Sequence, residues 1–207
     1  MRRFCAALLF IAILTGCDNT LTIDLGSFDV DSPRHSIFQY PDYQVEMPTV
    51  NLEQAFRESN WLGPKRSGSC VHASMIMLFR WQGREDLATL WRQTYADGEW
   101  AENLAAKFDA EGVRYAYTQG QRDVSFLEWA CDTRRGCGVT VKGGVHMVNL
   151  VYLDDERAGL LDNNNIGEIK WVPRETFLSE WFNSDSWAVT PVYAPPPPLP
   201  FGRGREN

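Results

Sequence analysis

The chain lacks three features: an apolar run beyond residue 14 that could cross a membrane, a stretch of basic residues, and an internal repeat. The first absence argues against a membrane-spanning domain, because a transmembrane helix needs about 20 consecutive apolar residues. The second, together with a formal net charge of −7, argues against binding to nucleic acid and against electrostatic docking on anionic lipid. The third argues against a repeat architecture.

The first 17 residues have the pattern of an export signal. Arg2 and Arg3 precede a short apolar run, residues 4–14, and the segment Leu14-Thr15-Gly16-Cys17 closes it. A charged start followed by an apolar run too short for a bilayer is typical of a secretory signal peptide. The closing segment resembles the lipobox of bacterial lipoproteins, which implies removal of residues 1–16 and attachment of lipid to Cys17. We therefore predict an exported, membrane-anchored lipoprotein that faces the periplasm or the cell exterior.

Composition divides the rest of the chain into a tether, one domain and a tail. Residues 17–48 are polar and aperiodic, with three prolines, and predict an extended tether. Residues 49–193 have the apolar content of a single domain with a full core. Residues 194–207 are rich in proline and then in glycine and arginine, which predicts a disordered tail. Without residues 1–16 the chain has 18 basic and 27 acidic residues, a charge of −9, so lipid rather than charge would make the membrane contact.

The periodicity of apolar residues predicts helices in the first half of the domain and strands in the second half. This order indicates an α+β fold in which most strands follow the helices. The predicted helices are 51–58, 70–82, 86–95, 100–109, 123–130 and 173–181. The predicted strands are 113–118, 138–142, 145–153, 157–161, 167–172 and 187–193.

Three separated residues have the types and the order of a thiol-based catalytic site. Cys70 stands at the start of a predicted helix, where the backbone dipole favours a thiolate. His146 begins a predicted strand, and Asp162 ends the next one, after a turn at 154–156 that would bring the two strands side by side. A thiol nucleophile needs a base, and the base needs a group that orients it. Asp162 is the first choice for this third role and Asn163 is the alternative, because adjacent strand residues point to opposite faces.

These segments resemble the papain-like cysteine peptidases, and in particular the bacterial domains that process bacteriocins after a double-glycine motif. The resemblance implies a papain-like fold with Cys70 in a helical half and with His146 and Asp162 in an antiparallel sheet. It also implies hydrolysis of amide bonds through a thioester acyl-enzyme, with Cys70, His146 and Asp162 or Asn163 as the catalytic residues. The implied substrate is a peptide or protein, with a cell-wall peptide among the alternatives, and no cofactor is implied.

One element of the papain-like pattern is missing. These enzymes carry a glutamine a few residues before the cysteine, and its side chain donates to the oxyanion; here the position six before Cys70 is Pro64. The Cys70 backbone N–H could act with Asn60, Lys65, Arg66 or a serine. Because this glutamine is missing, a second hypothesis of function stays open: a weakly active or inactive papain-like domain that serves as a membrane-anchored binding module. A third hypothesis is a transglutaminase-like enzyme or a cell-wall amidase that uses the same three residues.

The remaining cysteines bear on whether Cys70 is free. In an oxidising compartment, Cys131 and Cys137 flank a short polar loop that a disulfide could close, and we predict that bond. The alternative is a disulfide between Cys70 and either Cys131 or Cys137, which would leave no free thiol for catalysis. A zinc site at Cys70, His72 and His146 is disfavoured, because a Cys-x-His spacing on a helix gives poor ligand geometry.

Overall fold

The computed structural model describes residues 48–100 and 103–194, all within the compact unit of residues 47–207. The predicted signal peptide, the lipid site at Cys17, almost all of the tether (17–47) and the tail from residue 195 lie outside the described residues. Within the described ranges, no helix is both long enough and apolar enough to cross a membrane.

The described part of the chain contains helices and strands in the predicted order. A short 3₁₀ helix, Gln54–Phe56, stands where a longer helix was predicted. The α-helices are α1 (Cys70–Trp81), α2 (Glu85–Thr94), α3 (Leu104–Ala110), α4 (Val124–Asp132) and α5 (Arg174–Phe182). The strands are β1 (Tyr115–Thr118), β2 (Cys137–Val141), β3 (His146–Leu153), β4 (Arg157–Asp162), β5 (Asn165–Pro173) and β6 (Ala188–Pro191).

All six strands form one antiparallel sheet in the order β1-β6-β2-β3-β4-β5. Strand β3 is nearly continuously buried, because helices cover both faces of the sheet. Its alternate residues separate accordingly: Met147 and Val151 pack in the cluster with α1, while Val148 and Leu150 pack in the cluster with α4 and α5. The α+β prediction is confirmed.

Helix α1 is more deeply buried than its sequence pattern suggests. Val71, Met75, Leu78 and Phe79 have the spacing of a single apolar face, yet ten of the twelve residues of the helix are buried. The reason is that α2 and α3 cover the side of α1 that faces away from the sheet. Phe79 of α1 packs edge-on against Trp91 of α2 and Phe108 of α3, with ring centroids 5.6 and 6.2 Å apart. The helix is therefore held by packing around its circumference, and its N-terminal residue Cys70 stays partly exposed.

Two tight hairpins bring the end of β4 back beside the start of β3. The turn at residues 154–156 joins β3 to β4, as predicted, and Asn163 and Asn164 form the turn from β4 to β5. Within the second hairpin, Asp162 pairs with Asn165. This topology places the last residue of β4 next to His146, the first residue of β3.

The disulfide predicted between Cys131 and Cys137 is wrong: both cysteines are free, and so is Cys70. The loop between them is shorter than expected, because α4 continues to Asp132 and includes Cys131, while Cys137 already belongs to β2. Both side chains pack in the apolar cluster beneath α4 and α5. They act there as small apolar side chains.

Candidate active site

Cys70 is held at the surface end of α1 by a tightly bonded preceding loop. Ser69 occupies the position before the helix, but its hydroxyl does not cap the helix. Instead it accepts from the Trp61 backbone N–H at 2.8 Å and lies 3.0 Å from the Trp61 carbonyl. The loop is thereby closed on itself just before the cysteine. The backbone N–H groups of the first helical turn have no acceptor within the helix, and they favour negative charge on the Cys70 sulfur.

His146 lies between Cys70 and Asp162. Its Nε2 atom is 2.8 Å from Asp162 Oδ1, and the imidazole also forms a hydrogen bond with the Cys70 thiol. A carboxylate can only accept, so Nε2 carries the proton and Nδ1 remains as the nitrogen available to the Cys70 thiol. The His146 side chain is 8% exposed and the Asp162 side chain 33% exposed. The structure thus brings together the three residues that the sequence singled out.

The pKa values of these three residues shift in the directions that a thiolate–imidazolium pair requires. Burial alone would raise the pKa of the Cys70 thiol, but hydrogen bonds with the His146 side chain and the Met147 backbone bring it below its ordinary value. Burial alone would lower the pKa of His146, but hydrogen bonds with Cys70 and Asp162 raise it. The pKa of Asp162 is lowered against burial, because the Asn164 backbone N–H and the His146 ring stabilise the carboxylate.

The alternative third residue, Asn163, does not contact His146. Its side chain is buried and its Nδ2 atom lies within 3.1 Å of the Cys70 carbonyl, the Ser74 hydroxyl and the Met147 carbonyl. The asparagine that reaches the histidine is Asn164, whose Nδ2 lies 3.2 Å from His146 Nε2. In the sequence alone, Asn164 is an ordinary turn residue. The one available signal was its spacing of two from Asp162.

A cleft of about 210 Å³ opens directly in front of Cys70 and His146. Its lining includes the Ser67-Gly68 segment before α1 and Gly144 and Val145 before β3. Gly98 packs so closely on the Ser67-Gly68 segment that an added Cβ would lie 2.6 Å from the Ser67 Cβ and 2.8 Å from the Gly68 carbonyl. Two large apolar side chains on the cleft, Trp100 and Val145, are exposed; the full lining is Ser67, Gly68, Cys70, Val71, Gly98, Glu99, Trp100, Thr140, Gly144, Val145, His146 and Met147.

His72, the other histidine of the described domain, is part of the core. Its Nδ1 accepts from Trp91 Nε1 at 3.2 Å, and its ring stacks on Tyr95 with centroids 5.4 Å apart. Burial lowers the pKa of His72 to about 4, so the ring is neutral at physiological pH. Over residues 48–100 and 103–194, no three His, Cys, Asp or Glu side chains are grouped so that they could hold a metal ion.

No protein-family model matches the chain, and no curated protein matches it by sequence. By structure it is similar to a C39-like peptidase from Bacillus anthracis, with a TM-score of 0.55 and 12% identity over 72% of this chain and all of that one. It is also similar to a double-glycine motif protease from an AMS/PCAT transporter, solved with a leader peptide, with a TM-score of 0.42 and 15% identity over 60% and 85% of the two chains. The likeness to the first of these structures shows that the chain has a C39-like peptidase fold.

Proposed function

We propose that this protein is an exported, lipid-anchored cysteine peptidase in which Cys70 is the nucleophile, His146 the acid and base, and Asp162 the residue that orients His146. The observation that carries the proposal is the row of these three side chains, with His146 between Cys70 and Asp162 and with Cys70 and His146 lining an open cleft. The pKa of Cys70 is lowered and that of His146 is raised, and both shifts favour the reactive thiolate–imidazolium pair.

In the proposed reaction the Cys70 thiolate attacks the carbonyl carbon of an amide, and the carbonyl electron pair moves onto oxygen. When the tetrahedral intermediate collapses, the C–N bond breaks and the amine leaves with a proton from the His146 imidazolium. The neutral imidazole then removes a proton from water, which attacks the thioester and releases the acid and the thiolate. Asp162 stabilises the imidazolium while the charge exists.

The proposed substrate is a peptide or protein, and a peptide of the cell wall is one candidate. The cleft supports a substrate with apolar groups beside the cleaved bond, because Trp100 and Val145 are exposed on it. Lipid on Cys17 would restrict the enzyme to substrates at a membrane surface outside the cytoplasm.

The test is cleavage of a mixed peptide library by the mature full-length chain, with products and any thioester on Cys70 followed by mass spectrometry. We expect cleaved peptides, a thioester that accumulates briefly on Cys70, and neither of these in the Cys70→Ala variant. Cleavage that persists in Cys70→Ala would contradict the mechanism. Peptides that bind without being cleaved would instead support the binding module, and transfer to an added amine would support a transferase.

A further inference from the structure

The proposed reaction places a negative charge on the former carbonyl oxygen, and this charge needs hydrogen-bond donors. Removing one such donor typically costs about 10²–10³ in rate. The backbone N–H of Cys70 is available as one donor, since the first amides of a helix have no partner inside it. No side chain at position 64 can supply the second donor, because that residue is proline. The second donor must therefore come from elsewhere around the N-terminus of α1.

The hydrogen bonds around this N-terminus exclude most of the polar side chains nearby. Ser69 is fully buried and its hydroxyl is engaged with Trp61 and Asn60. Lys65 and Arg66 are exposed in the preceding turn, and among the described residues neither side chain has a hydrogen bond that would hold it toward Cys70. Asn60 differs from all of these, because its amide group faces both the residue before Cys70 and the residues around His146.

The orientation of the Asn60 amide is fixed by four hydrogen bonds. Its Oδ1 accepts from the Ser69 backbone N–H at 2.7 Å and from the Ser69 hydroxyl at 3.0 Å, and its own backbone N–H donates to the Asn163 carbonyl at 2.8 Å. Its Nδ2 therefore points away from the helix and donates to Asn164 Oδ1 at 3.1 Å on the exposed side. An amide nitrogen carries two hydrogens, and this contact engages one of them.

The Asn60 amide belongs to a chain of contacts that runs from Ser69 to His146. Asn164, which accepts from Asn60, places its own Nδ2 3.2 Å from His146 Nε2. The Asn60 Nδ2 also lies close to the cleft wall, at 3.4 Å from the position that a Cβ on Gly68 would occupy. A preoriented donor thus stands at the helix end, on the side where His146 lies.

We propose that Asn60 Nδ2 is the side-chain donor to the oxyanion and takes the place of the missing glutamine. In the tetrahedral intermediate its second N–H donates to the negatively charged oxygen beside the Cys70 backbone N–H, and no proton is transferred. When the intermediate collapses, the oxygen becomes a carbonyl again and the hydrogen bond weakens. This inference rests on the proposed function of Cys70 as a nucleophile.

The test compares two reactions of Cys70 in the full chain, both followed by mass spectrometry at that residue. Acylation by p-nitrophenyl acetate passes through an oxyanion, whereas alkylation by iodoacetamide does not. For Asn60→Ala we expect acylation to slow by about tenfold or more while alkylation at pH 6 stays within about twofold. Asn183→Ala removes an asparagine that is exposed at the end of α5, and it should change neither rate.

Asn60→Asp separates an oxyanion donor from a merely structural residue. The carboxylate can still accept from Ser69, so a structural role predicts that Asp restores the rate lost in Asn60→Ala. A donor to the oxyanion predicts the opposite, acylation slower than in Asn60→Ala, because the carboxylate cannot donate and repels the developing charge. Equal acylation in wild type and Asn60→Ala, or rescue by Asp, would overturn the inference alone. A wild-type Cys70 that reacts with both reagents only as an ordinary thiol would overturn the proposed function and the inference together.

Discussion

At the scale of single residues, burial and hydrogen bonding oppose each other at both Cys70 and His146, and hydrogen bonding prevails. Burial disfavours charge on either group, so a buried thiol and imidazole that were not in contact would both stay neutral. Contact between the Cys70 thiol and the His146 imidazole instead favours the charged form of each group, and Asp162 places a negative charge beside Nε2 of the ring. The carboxylate should therefore set the upper pH limit at which the imidazolium persists.

This argument makes a prediction for Asp162→Asn. Removing the carboxylate charge destabilises the imidazolium, so the pKa of His146 should fall and the alkaline limb of amide hydrolysis should move to lower pH. We also expect kcat to fall by about tenfold or more, because the ring loses its orienting partner. The measurement is kcat/KM from pH 5 to 10 on one cleaved peptide. Asp155→Asn, in the exposed turn after β3, is the matched control, and an unshifted alkaline limb in Asp162→Asn would contradict the role given to this residue.

The sequence could predict that Cys70, His146 and Asp162 lie together, because each stands at the end of an element with a strong local signal. The sequence could not predict in which direction the side chains of Asn163 and Asn164 point. Both lie in a hairpin turn, where strand alternation no longer decides which way a side chain points. Nor could it find the contact between Asn60 and Ser69, which depends on how a loop without regular structure closes on itself.

At the scale of elements, one buried side chain links the three segments that carry the candidate site. Asn163 follows Asp162 at the end of β4, and its Nδ2 contacts the carbonyl of Cys70 in α1 and the carbonyl of Met147 in β3. The two carbonyls belong to Cys70 and to the residue that follows His146. The helix and the two strands are thus fixed to each other by hydrogen bonds directly below the cleft.

Asn163→Ala should therefore be destabilising, because it removes the buried hydrogen bonds that Asn163 Nδ2 donates to the Cys70 and Met147 carbonyls. We expect a loss of about 2–4 kcal/mol in the free energy of unfolding, measured by urea denaturation. Asn165→Ala is the control: that side chain is exposed and its amide bonds only Glu168, so the expected change is below about 0.5 kcal/mol. Equal losses in the two variants would show that Asn163 does not join these elements.

The sequence predicted the type and bounds of helices and strands better than it predicted which of their faces are buried. The helix starting at Cys70 and the strands around His146 and Asp162 lie within one or two residues of their predicted bounds. The burial of α1 on all sides could not be predicted, since it results from α2 and α3 packing over it. The disulfide prediction was wrong: Cys131 belongs to α4, Cys137 belongs to β2, and both thiols are free.

At the scale of the whole described domain, stability comes from two apolar clusters on opposite faces of the sheet. The cluster with α1 encloses His72 among aromatic rings, close to the charges of Glu99 and Lys107. A titratable ring inside the core links the stability of the domain to pH. The hydrogen bond of the His72 ring is with Trp91, and no hydrogen bond among the described residues joins His72 to the side chain of Cys70 or His146.

Because burial lowers the pKa of His72 to about 4, the unfolded chain binds its proton below about pH 6.5 while the folded domain does not. The stabilisation is therefore complete above pH 6.5 and is lost as pH falls from there to about 4, by roughly 3 kcal/mol. Urea denaturation at pH 7 and pH 4.5 measures this loss. In His72→Asn, which keeps an acceptor for Trp91 Nε1, the loss should be smaller by about that amount; an identical loss in both proteins would contradict the account.

The measurement that tests the central claim most directly is the rate of alkylation of Cys70 against pH, in the mature full-length chain and in His146→Ala. Burial raises the pKa of both Cys131 and Cys137, so these two thiols provide slow internal references. We predict fast alkylation of Cys70 that persists below about pH 6 and is lost in the variant, as a thiolate–imidazolium pair requires. A single rise near pH ~8.5 that His146→Ala leaves unchanged would mean an ordinary thiol, and it would contradict the proposed peptidase.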